Sequence, residues 1–424
     1  MNKVLIITYY WPPSGGAGVQ RWLKFSKYFP EFGWEPIILT IDPLYSAYPV
    51  TDDSLTNEIP ATLKVYKTPA RDYFSIYKND KTKIPAAGFA NSVNNTFKGK
   101  IMRFIRGNFF IPDPRRGWNK YAFRKACEII EAEGIKHIIT TSPPHSTQLI
   151  GLRLKKKFPG IKWVADLRDP WTDIYYYRLF YPTLISKMID RRYENKVLTV
   201  SDRIITVGKS LKALFSSKIP EAGRKTEIIS NGYDEEDFAS LAPSNPGIFT
   251  VTYTGTLSDV YPVDGFLEAL QVINEKMSDF RLRFIGTVSS NMKDLILSKI
   301  LSSKVEFIPY VDHNAAIKYM ADSTILLLII PDHQSNNSII TGKLFEYIAA
   351  GKPIICLGPV NGDAAEIIKE TGLGMTFSYM DSKGISDYLS SMISGESVIE
   401  KLSTKAYSRI ELTKKVISIL QTLS

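Results

Sequence analysis

The segment 341–353, with the sequence TGKLFEYIAAGKP, carries the residues whose types and spacing are most readily tied to chemistry. It directly follows a short loop after the most apolar run of the chain, residues 325–330. A carboxylate such as Glu346, near a helix start at the carboxyl end of a parallel strand, can accept hydrogen bonds from a ribose diol. The exposed N–H groups of the same helix can hold a diphosphate. A solvated glutamate that stabilises the helix dipole is the alternative.

A glycine-rich loop follows the first apolar run, with the sequence YYWPPSGGAGVQR at 9–21. Its glycines, Gly15, Gly16 and Gly18, let the backbone turn sharply and expose N–H groups where the next helix begins, which is a place where anions bind well. The dinucleotide-binding fingerprint fails here, because Arg21 stands at the position of its third glycine. An ordinary structural turn is the alternative.

The elements that must position these residues are short apolar runs that alternate with amphipathic stretches. The predicted strands of the first half are 3–8, 36–40, 136–141, 162–166, 203–207 and 226–229, with helical patterns such as 20–29, 118–133 and 146–157. Those of the second half are 249–254, 281–285, 305–309, 324–330, 353–357 and 374–377, with helices at 262–277, 291–302, 314–321, 341–350 and 362–370. Unbroken β-branched runs predict parallel strands that are covered on both faces.

The pattern occurs twice, and it is split by a polar, proline-bearing stretch at 235–247. We therefore predict an α/β chain with two doubly wound, Rossmann-like domains that face a central cleft. Ligands in such sheets bind beyond the carboxyl ends of the strands, so the loops there are where function is expected.

Charge and cysteine content narrow the classes of protein. Residues 1–245 carry 37 Lys and Arg against 24 Asp and Glu, a balance of +13, whereas the rest carries 16 against 19. The basic half is expected to bind an anionic partner.

Cys127 and Cys356 are too few for a disulfide framework or a cysteine zinc site, and they suit a reducing compartment. With no signal-peptide pattern and no run long enough to span a bilayer, we expect a cytoplasmic protein.

The order of seven short motifs resembles that of the family 4 retaining glycosyltransferases, whose two-domain fold is called GT-B. The matching segments are YWPPSGG at 10–16, TSPPH at 141–145, DLRDPW at 166–171, SNGYD at 230–234, YTGTL at 253–257, FIG at 284–286 and KLFEYIAAGKP at 343–353. The resemblance covers nearly the whole chain. It implies an acceptor-binding domain at 1–240, a donor-binding domain at 247–404 and a C-terminal helix at 405–424 that packs back on the first domain.

The resemblance also implies the residues of the site, with departures. The predicted catalytic residues are His145, Asp169 and Lys343, although an ordinary loop histidine is the alternative for His145. The predicted donor-binding residues are Glu346, Ser338, Ile339, Asn337, Gly255 and Thr256, and those of the glycine loop are Gly15, Gly16, Gly18 and Arg21. The family usually has a second glutamate where Ser338 stands, and many members have an Arg and a Lys in the loop matched by 254–263, which has neither.

The predicted function is transfer of a sugar from a nucleotide-sugar donor, by expectation a UDP-sugar, to a glycan or lipid-linked glycan acceptor in cell-surface polysaccharide biosynthesis. The resemblance implies no cofactor and no metal. A nucleotide-sugar epimerase on the same fold and a non-catalytic nucleotide-sugar-binding or scaffold protein are the alternatives. Nucleic acid is not an expected partner, since the basic half carries no recognised motif.

A further expectation concerns residues 97–111, where bases alternate with large apolar groups in the sequence FKGKIMRFIRGNFFI. Such a basic amphipathic segment can lie in the headgroup region of an anionic membrane, with Lys98, Lys100, Arg103 and Arg106 near the lipid. Packing of its apolar groups on the first domain is the alternative. Gly99 and Gly107 predict that the segment forms no long helix.

Overall fold

The computed structural model describes residues 1–48, 50–71, 97–239, 247–277, 279–396 and 402–423. By its contacts the chain divides into two units, Met1–Ser230 with Arg409–Ser424, and Asn231–Ser408. The sequence-based prediction ended the first domain at 240, placed the second at 247–404 and started the C-terminal helix at 405. Residues 240–246 are outside the described part of the chain.

The first unit is built on a seven-stranded parallel sheet. Its strands are β1 (Asn2–Ile7), β2 (Trp34–Ile41), β3 (Lys64–Thr68), β4 (His137–Ser142), β5 (Lys162–Leu167), β6 (Arg203–Thr206) and β7 (Thr226–Ile228), in the order β3-β2-β1-β4-β5-β6-β7. The helices are α1 (Ala17–Tyr28), α2 (Phe97–Phe109), α3 (Asn119–Glu133), α4 (Gln148–Lys157), α5 (Leu184–Val200), α6 (Lys209–Lys218) and α7 (Pro220–Arg224). The strand order reverses between β1 and β4, so the loops after these two strands flank the topological switch point.

The second unit repeats the design with six parallel strands. They are β8 (Phe249–Thr254), β9 (Phe280–Ile285), β10 (Val305–Ile308), β11 (Ile325–Ile329), β12 (Ile354–Leu357) and β13 (Gly374–Phe377), in the order β10-β9-β8-β11-β12-β13. The helices are α8 (Glu235–Phe238), α9 (Asp264–Lys276), α10 (Ser290–Lys299), α11 (His313–Ala321), α12 (Gly342–Ala350), α13 (Asp363–Thr371) and α14 (Ser382–Ser394). Here the switch point lies between β8 and β11.

The last helix, α15 (Arg409–Gln421), belongs to the first unit although it follows the second in sequence. Its buried apolar side chains, among them Leu412, Val416 and Leu420, join the core cluster that contains Trp22 and Phe25 of α1. The predicted fold class, two Rossmann-like parallel-sheet domains with a C-terminal helix that returns to the first, is confirmed.

Residues 97–109 depart from the sequence-based prediction, because they form the continuous helix α2. Gly107 faces the backbone of Phe180, where an added Cβ would lie 2.3 Å from the carbonyl oxygen. A glycine is therefore required for close packing at this position and does not interrupt the helix. Among the described residues, no helix has the length and apolar character needed to cross a bilayer.

Candidate functional site

In the first unit, the glycine loop after β1 ends at Gly16, whose φ of 89° is a backbone conformation that favours glycine. Helix α1 starts at the next residue, so Gly18 and Arg21 lie within the helix and not in the loop. Gly15 packs closely on another loop, since an added Cβ would lie 3.1 Å from Cγ1 of Val50. The loop is thus tightly held at the switch point of the first sheet.

Arg21 does not have the ligand-facing position that the sequence suggested, because it forms a buried ion pair with Asp166 of β5. Nε and Nη2 of Arg21 each lie 3.2 Å from an oxygen of Asp166, and both side chains are fully buried. Asp166 also accepts hydrogen bonds from Trp22 Nε1 at 2.7 Å and Thr141 Oγ1 at 2.8 Å. With its donors committed to Asp166 and to the carbonyl of Ser230, Arg21 ties α1 to the sheet.

Arg168, directly after β5, links the loops at this edge of the sheet. Its Nε donates to the carbonyl oxygen of Ser142 at 2.9 Å, and its Nη1 donates to that of Gly18 at 3.3 Å. The next residue, Asp169, is half-buried, and desolvation raises the pKa of its carboxyl against the opposing charge of Arg168. The edge therefore holds a guanidinium next to a poorly solvated carboxyl group.

His145 follows β4 and stacks on Trp171, with ring centroids 4.8 Å apart and planes inclined by 11°. Burial lowers the pKa of His145 to about 4, so the imidazole is neutral near pH 7. Its Nδ1 is buried and makes no hydrogen bond within the described chain. The ring as a whole is only partly buried, and a neutral imidazole can form a hydrogen bond with a substrate hydroxyl.

The ring of Trp171 is in turn held by helix α5. Trp171 Nε1 donates to Oδ1 of Asp190 at 2.7 Å, and burial raises the pKa of Asp190 to about 6. On the other side, Asp113 accepts from the backbone N and the Oγ of Ser146, each at 2.8 Å. His145 is thus set by two carboxylates that support its neighbours, and neither support was found from the sequence because the partners lie far apart in the chain.

Two arginines near this edge were not singled out as site residues. Arg115 is buried, and Arg106 of α2 lies with its guanidinium 3.9 Å from the ring centroid of Phe180. Burial, with the nearby charge of Arg115, lowers the pKa of Arg106 to about 10. Both remain cationic at pH 7, and they give the first unit poorly solvated positive charge next to Asp113. The alternation of bases with apolar groups at 97–111 was the available signal for Arg106.

In the second unit, Lys343 lies against the backbone at the carboxyl end of β8. Its Nζ donates to Tyr253 Oη at 3.0 Å, and a Cβ added to Gly255 would lie 3.0 Å from Nζ. Gly255 in turn packs against Gly286, where an added Cβ would lie 2.4 Å from the Gly255 oxygen. Both glycines have positive φ, 104° and 120°. The structure thus brings Lys343 and Gly255 together, as two predicted site residues, beside the switch point.

The ammonium group of Lys343 is poorly solvated. Burial lowers its pKa to about 8, and the charge of Glu346 partly opposes this shift. The helix that carries Lys343 has Thr341 as its N-cap, but no side chain caps it and the buried Oγ1 of Thr341 has no partner among described residues. An uncapped helix start beside a buried ammonium group is a favourable setting for an anion.

Glu346 lies one turn after Lys343 on α12 and keeps 24% of its side chain exposed. Its Oε1 is 4.0 Å from His313 Nδ1, and His313 Nε2 is 3.4 Å from Oδ2 of Asp237. His313 begins α11, and nothing in its sequence context pointed to it. Glu346 thus lies beside an imidazole and keeps part of its side chain at the surface.

The remaining predicted donor residues lie in the loop after β11 and the loop after β8. Asn337 and Ser338 belong to a single 3-10 turn, Asn336–Ser338, in which Ser338 Oγ donates to the Ser335 carbonyl at 3.2 Å. Ile339 follows this turn. The carbonyl of Thr256 accepts from Tyr253 Oη at 2.7 Å, so Tyr253 links it to Lys343.

No group of three or more His, Cys, Asp or Glu suited to a metal ion occurs among the described residues.

Residues 234–409 match the family "Glycosyl transferases group 1". The match contains Gly255, Lys343 and Glu346, and it supports a glycosyltransferase. No curated protein matches the chain significantly in sequence.

Solved structures with the same architecture span nearly the whole chain. A glycosyltransferase from Rickettsia africae aligns over 100% of this chain and 98% of its own with 15% identity and a TM-score of 0.63. Anabaena Alr3699/HepE, solved with UDP and glucose, aligns over 100% of both chains with 12% identity and a TM-score of 0.57. A putative UDP-N-acetylglucosamine 2-epimerase from Listeria monocytogenes covers 99% and 96%, with 9% identity and a TM-score of 0.58. At such identities the likeness establishes the fold, which is the GT-B fold, and not the reaction.

Proposed function

We propose that this protein is a metal-independent, retaining glycosyltransferase that moves a sugar from a UDP-sugar to a glycan or lipid-linked glycan acceptor in cell-surface polysaccharide biosynthesis. The observation that carries the proposal is the placement of Lys343 beside Gly255 at the switch point of the second sheet, with Glu346 one turn further on. These residues lie within the part of the chain that matches a glycosyltransferase family.

In this proposal the second unit binds the donor. The ribose diol donates hydrogen bonds to Glu346, and the diphosphate accepts them from Lys343 and from the uncapped N–H groups at the start of α12. The choice of UDP draws on relatives of the same fold, since Anabaena Alr3699/HepE was solved with UDP-glucose at a TM-score of 0.54. Lys343 supplies the positive charge that the loop at 254–263 lacks.

The reaction breaks the bond between the anomeric carbon and the diphosphate oxygen and forms one between that carbon and an acceptor oxygen on the same face. The proton of the acceptor hydroxyl passes to the departing diphosphate, which needs no protein nucleophile. Charge develops on the leaving diphosphate, where the ammonium group of Lys343 stabilises it. Since that ammonium group is poorly solvated, its interaction with the diphosphate is stronger than it would be in water.

The first unit supplies the acceptor side of the proposal. The neutral imidazole of His145 and the carboxylate of Asp169 orient a sugar hydroxyl. Arg106 and Arg115 are themselves packed or buried, and they add positive charge near the same edge that favours an anionic acceptor such as a lipid-linked sugar diphosphate.

The test is to measure thermal unfolding with UDP, GDP and dTDP and then to follow UDP-sugar consumption with and without membrane extract as the acceptor source. A glycosyltransferase gains stability with its nucleotide and releases UDP faster when the acceptor is present. Conversion of the UDP-sugar to another UDP-sugar without acceptor would identify an epimerase. Stabilisation by UDP-sugar without any turnover would identify a binding protein, and no stabilisation by any nucleotide refutes the proposal.

A further inference from the structure

Helix α2 is amphipathic, but its apolar face is exposed to solvent and its basic face packs against the first unit. Its large apolar side chains are exposed, with Phe97 at 80% and Phe109 at 70%, and the others are Ile101, Met102, Phe104 and Ile105. Arg103, by contrast, is only 8% exposed, and Arg106 stacks on Phe180. A surface helix normally buries its apolar stripe and exposes its charges, so this orientation indicates an apolar partner outside the unit.

The orientation also corrects the expectation from the sequence. Of the four bases that were expected to lie near lipid, Arg103 is buried and Arg106 is packed on an aromatic ring. Lys100 is exposed, and the side chain of Lys98 is outside the described part of the structure. Among its described bases α2 therefore exposes only Lys100, and further cations for an anionic surface must come from another element.

Helix α5 supplies them, because its N-terminal end is joined to α2. Asn108 of α2 accepts hydrogen bonds from the backbone N of Thr183 and the Oγ of Ser186, both at 2.8 Å, and donates to the carbonyl oxygen of Tyr181 at 3.1 Å. These bonds fix the first turn of α5 beside the last turn of α2. The start of α5 beside α2 also carries exposed apolar side chains, and they include Leu184 at 84% and Met188 at 65% exposure.

The charged residues of α5 are also divided between a buried and an exposed face. Its two carboxylates, Asp190 and Glu194, are buried, while Arg191, Arg192 and Lys196 are exposed. An open groove of about 700 Å³ runs along the exposed face and is lined by Leu184, Lys187, Met188, Arg191, Arg192, Asn195, Lys196, Thr199 and Val200. Helix α2 contains no acidic residue at all. The two helices together therefore expose large apolar groups and cations without a carboxylate.

We propose that α2 and the exposed face of α5 form one docking surface for an anionic lipid bilayer. The apolar side chains of α2 and of the first turn of α5 enter the headgroup and acyl boundary, while the cations of α5 contact anionic headgroups. The +13 balance of residues 1–245 adds long-range attraction to such a surface. The inference is consistent with a lipid-linked acceptor but does not depend on transfer activity, because vesicle binding requires no turnover.

The test is flotation of the full chain with phosphatidylcholine vesicles that either contain or lack phosphatidylglycerol. The parent is expected to float with the anionic vesicles at low salt and less so as salt is raised. The triple variant Arg191→Ser, Arg192→Ser, Lys196→Ser should lose about 100-fold in partition coefficient, since each cation near the surface contributes about 1 kcal/mol. The control triple Lys120→Ser, Lys136→Ser, Lys156→Ser removes the same charge from other exposed positions of the first unit and should float like the parent.

The apolar part is tested by Phe104→Ser with Leu184→Ser, which should weaken vesicle binding while thermal unfolding stays like that of the parent. Leu44→Ser with Tyr45→Ser is the matched control, because both side chains are exposed elsewhere in the first unit. The inference is overturned if the parent stays in the soluble fraction with anionic vesicles at low salt, or if both triples lose binding equally. Self-association of the parent in sedimentation, abolished by the Phe104 and Leu184 changes, would assign the surface to a second copy instead.

Discussion

The proposed role of Lys343 makes nucleotide binding depend on pH in a range where an ordinary lysine does not titrate. Burial lowers its pKa to about 8, against the opposing charge of Glu346. The amine is therefore cationic near pH 7 and largely neutral near pH 9. Because the diphosphate is bound by the ammonium form, the affinity for UDP is expected to fall as pH rises through 8.

The magnitude follows from a single titration. If only the protonated form binds, the apparent Kd grows by a factor of about 2 at pH 8 and about 11 at pH 9, or roughly 1.4 kcal/mol across the range. Lys343→Arg keeps its charge throughout, so its UDP affinity should lack this decline. Any titration of the nucleotide itself affects both proteins equally, so it cancels when the pH dependence of the parent's Kd is compared with that of Lys343→Arg.

The same shift predicts an effect on stability with a definite sign. The pKa of Lys343 in the folded chain, about 8, is below the ordinary 10.5, so the folded state binds its proton less tightly than the unfolded state does. Charge at this position therefore costs stability below pH 8, by at most about 3 kcal/mol, and the cost disappears as pH rises from 8 toward 10.5. Lys343→Met should thus unfold at a higher temperature than the parent at pH 7 while binding UDP more weakly.

Calorimetry of UDP binding at three pH values, in two buffers with different ionisation enthalpies, measures both affinity and proton uptake. The parent should take up about half a proton per UDP at pH 8, and Lys343→Arg should lack this uptake. Lys369→Met, which alters an exposed lysine of the same unit, is the control and should behave like the parent. A parallel decline in the parent and in Lys343→Arg refutes the reasoning, as does a folded Lys343→Met protein that binds UDP as tightly as the parent.

Glu346→Gln should weaken UDP binding by roughly 1–3 kcal/mol in calorimetry, because it removes a charge-assisted hydrogen bond, whereas Glu275→Gln on the exposed surface should not. His145→Ala should lower transfer at least about tenfold and leave UDP affinity unchanged; with a pKa of about 4, His145 should contribute no titration to the rate between pH 6 and 8. Asp190→Ala should lower transfer and thermal stability without changing UDP affinity, because Trp171 Nε1 loses its acceptor. Since burial raises the pKa of Asp190 from 3.8 to about 6, the parent loses stability as pH rises from about 4 to 6, so the stability of Asp190→Asn relative to the parent should increase over that range and stay constant above it.

The fold could be predicted because the strands are unbroken apolar runs. The strand β11, Ile325–Ile329, is buried at every position, and the prediction of 324–330 misses its ends by one residue. The edge strand β3, Lys64–Thr68, was missed because its burial pattern is mixed and its sequence carries two lysines. Edge strands need less apolar surface than central strands do, so their sequence signal is weaker.

Local sequence patterns predicted the candidate site only where its residues are close in sequence, whereas the distant pair Gly255 and Lys343 followed from the family resemblance. Lys343 and Glu346 are three residues apart on one helix, so their common face follows from the helical period. The pairing of Arg21 with Asp166 joins residues 145 positions apart, and the glycine pattern around Arg21 pointed to a ligand when the arginine serves the core. His313 reaches Glu346 from another helix, and no local pattern marks it.

The two faces of α2 show why an amphipathic pattern alone does not place a helix. A sequence pattern with apolar groups on one side of a helix and bases on the other predicts two different faces. It does not predict which of the two faces packs against the core. In α2, three contacts determine which face packs inward. Gly107 lies against the backbone of Phe180, and the guanidinium of Arg106 lies over the Phe180 ring. Asn108 forms a hydrogen bond with the backbone at the start of α5. All three bring partners from more than 70 positions away in the chain. Because these contacts turn the arginines inward, the apolar stripe lies at the surface, where it is accompanied by Lys100 and by the cations of α5.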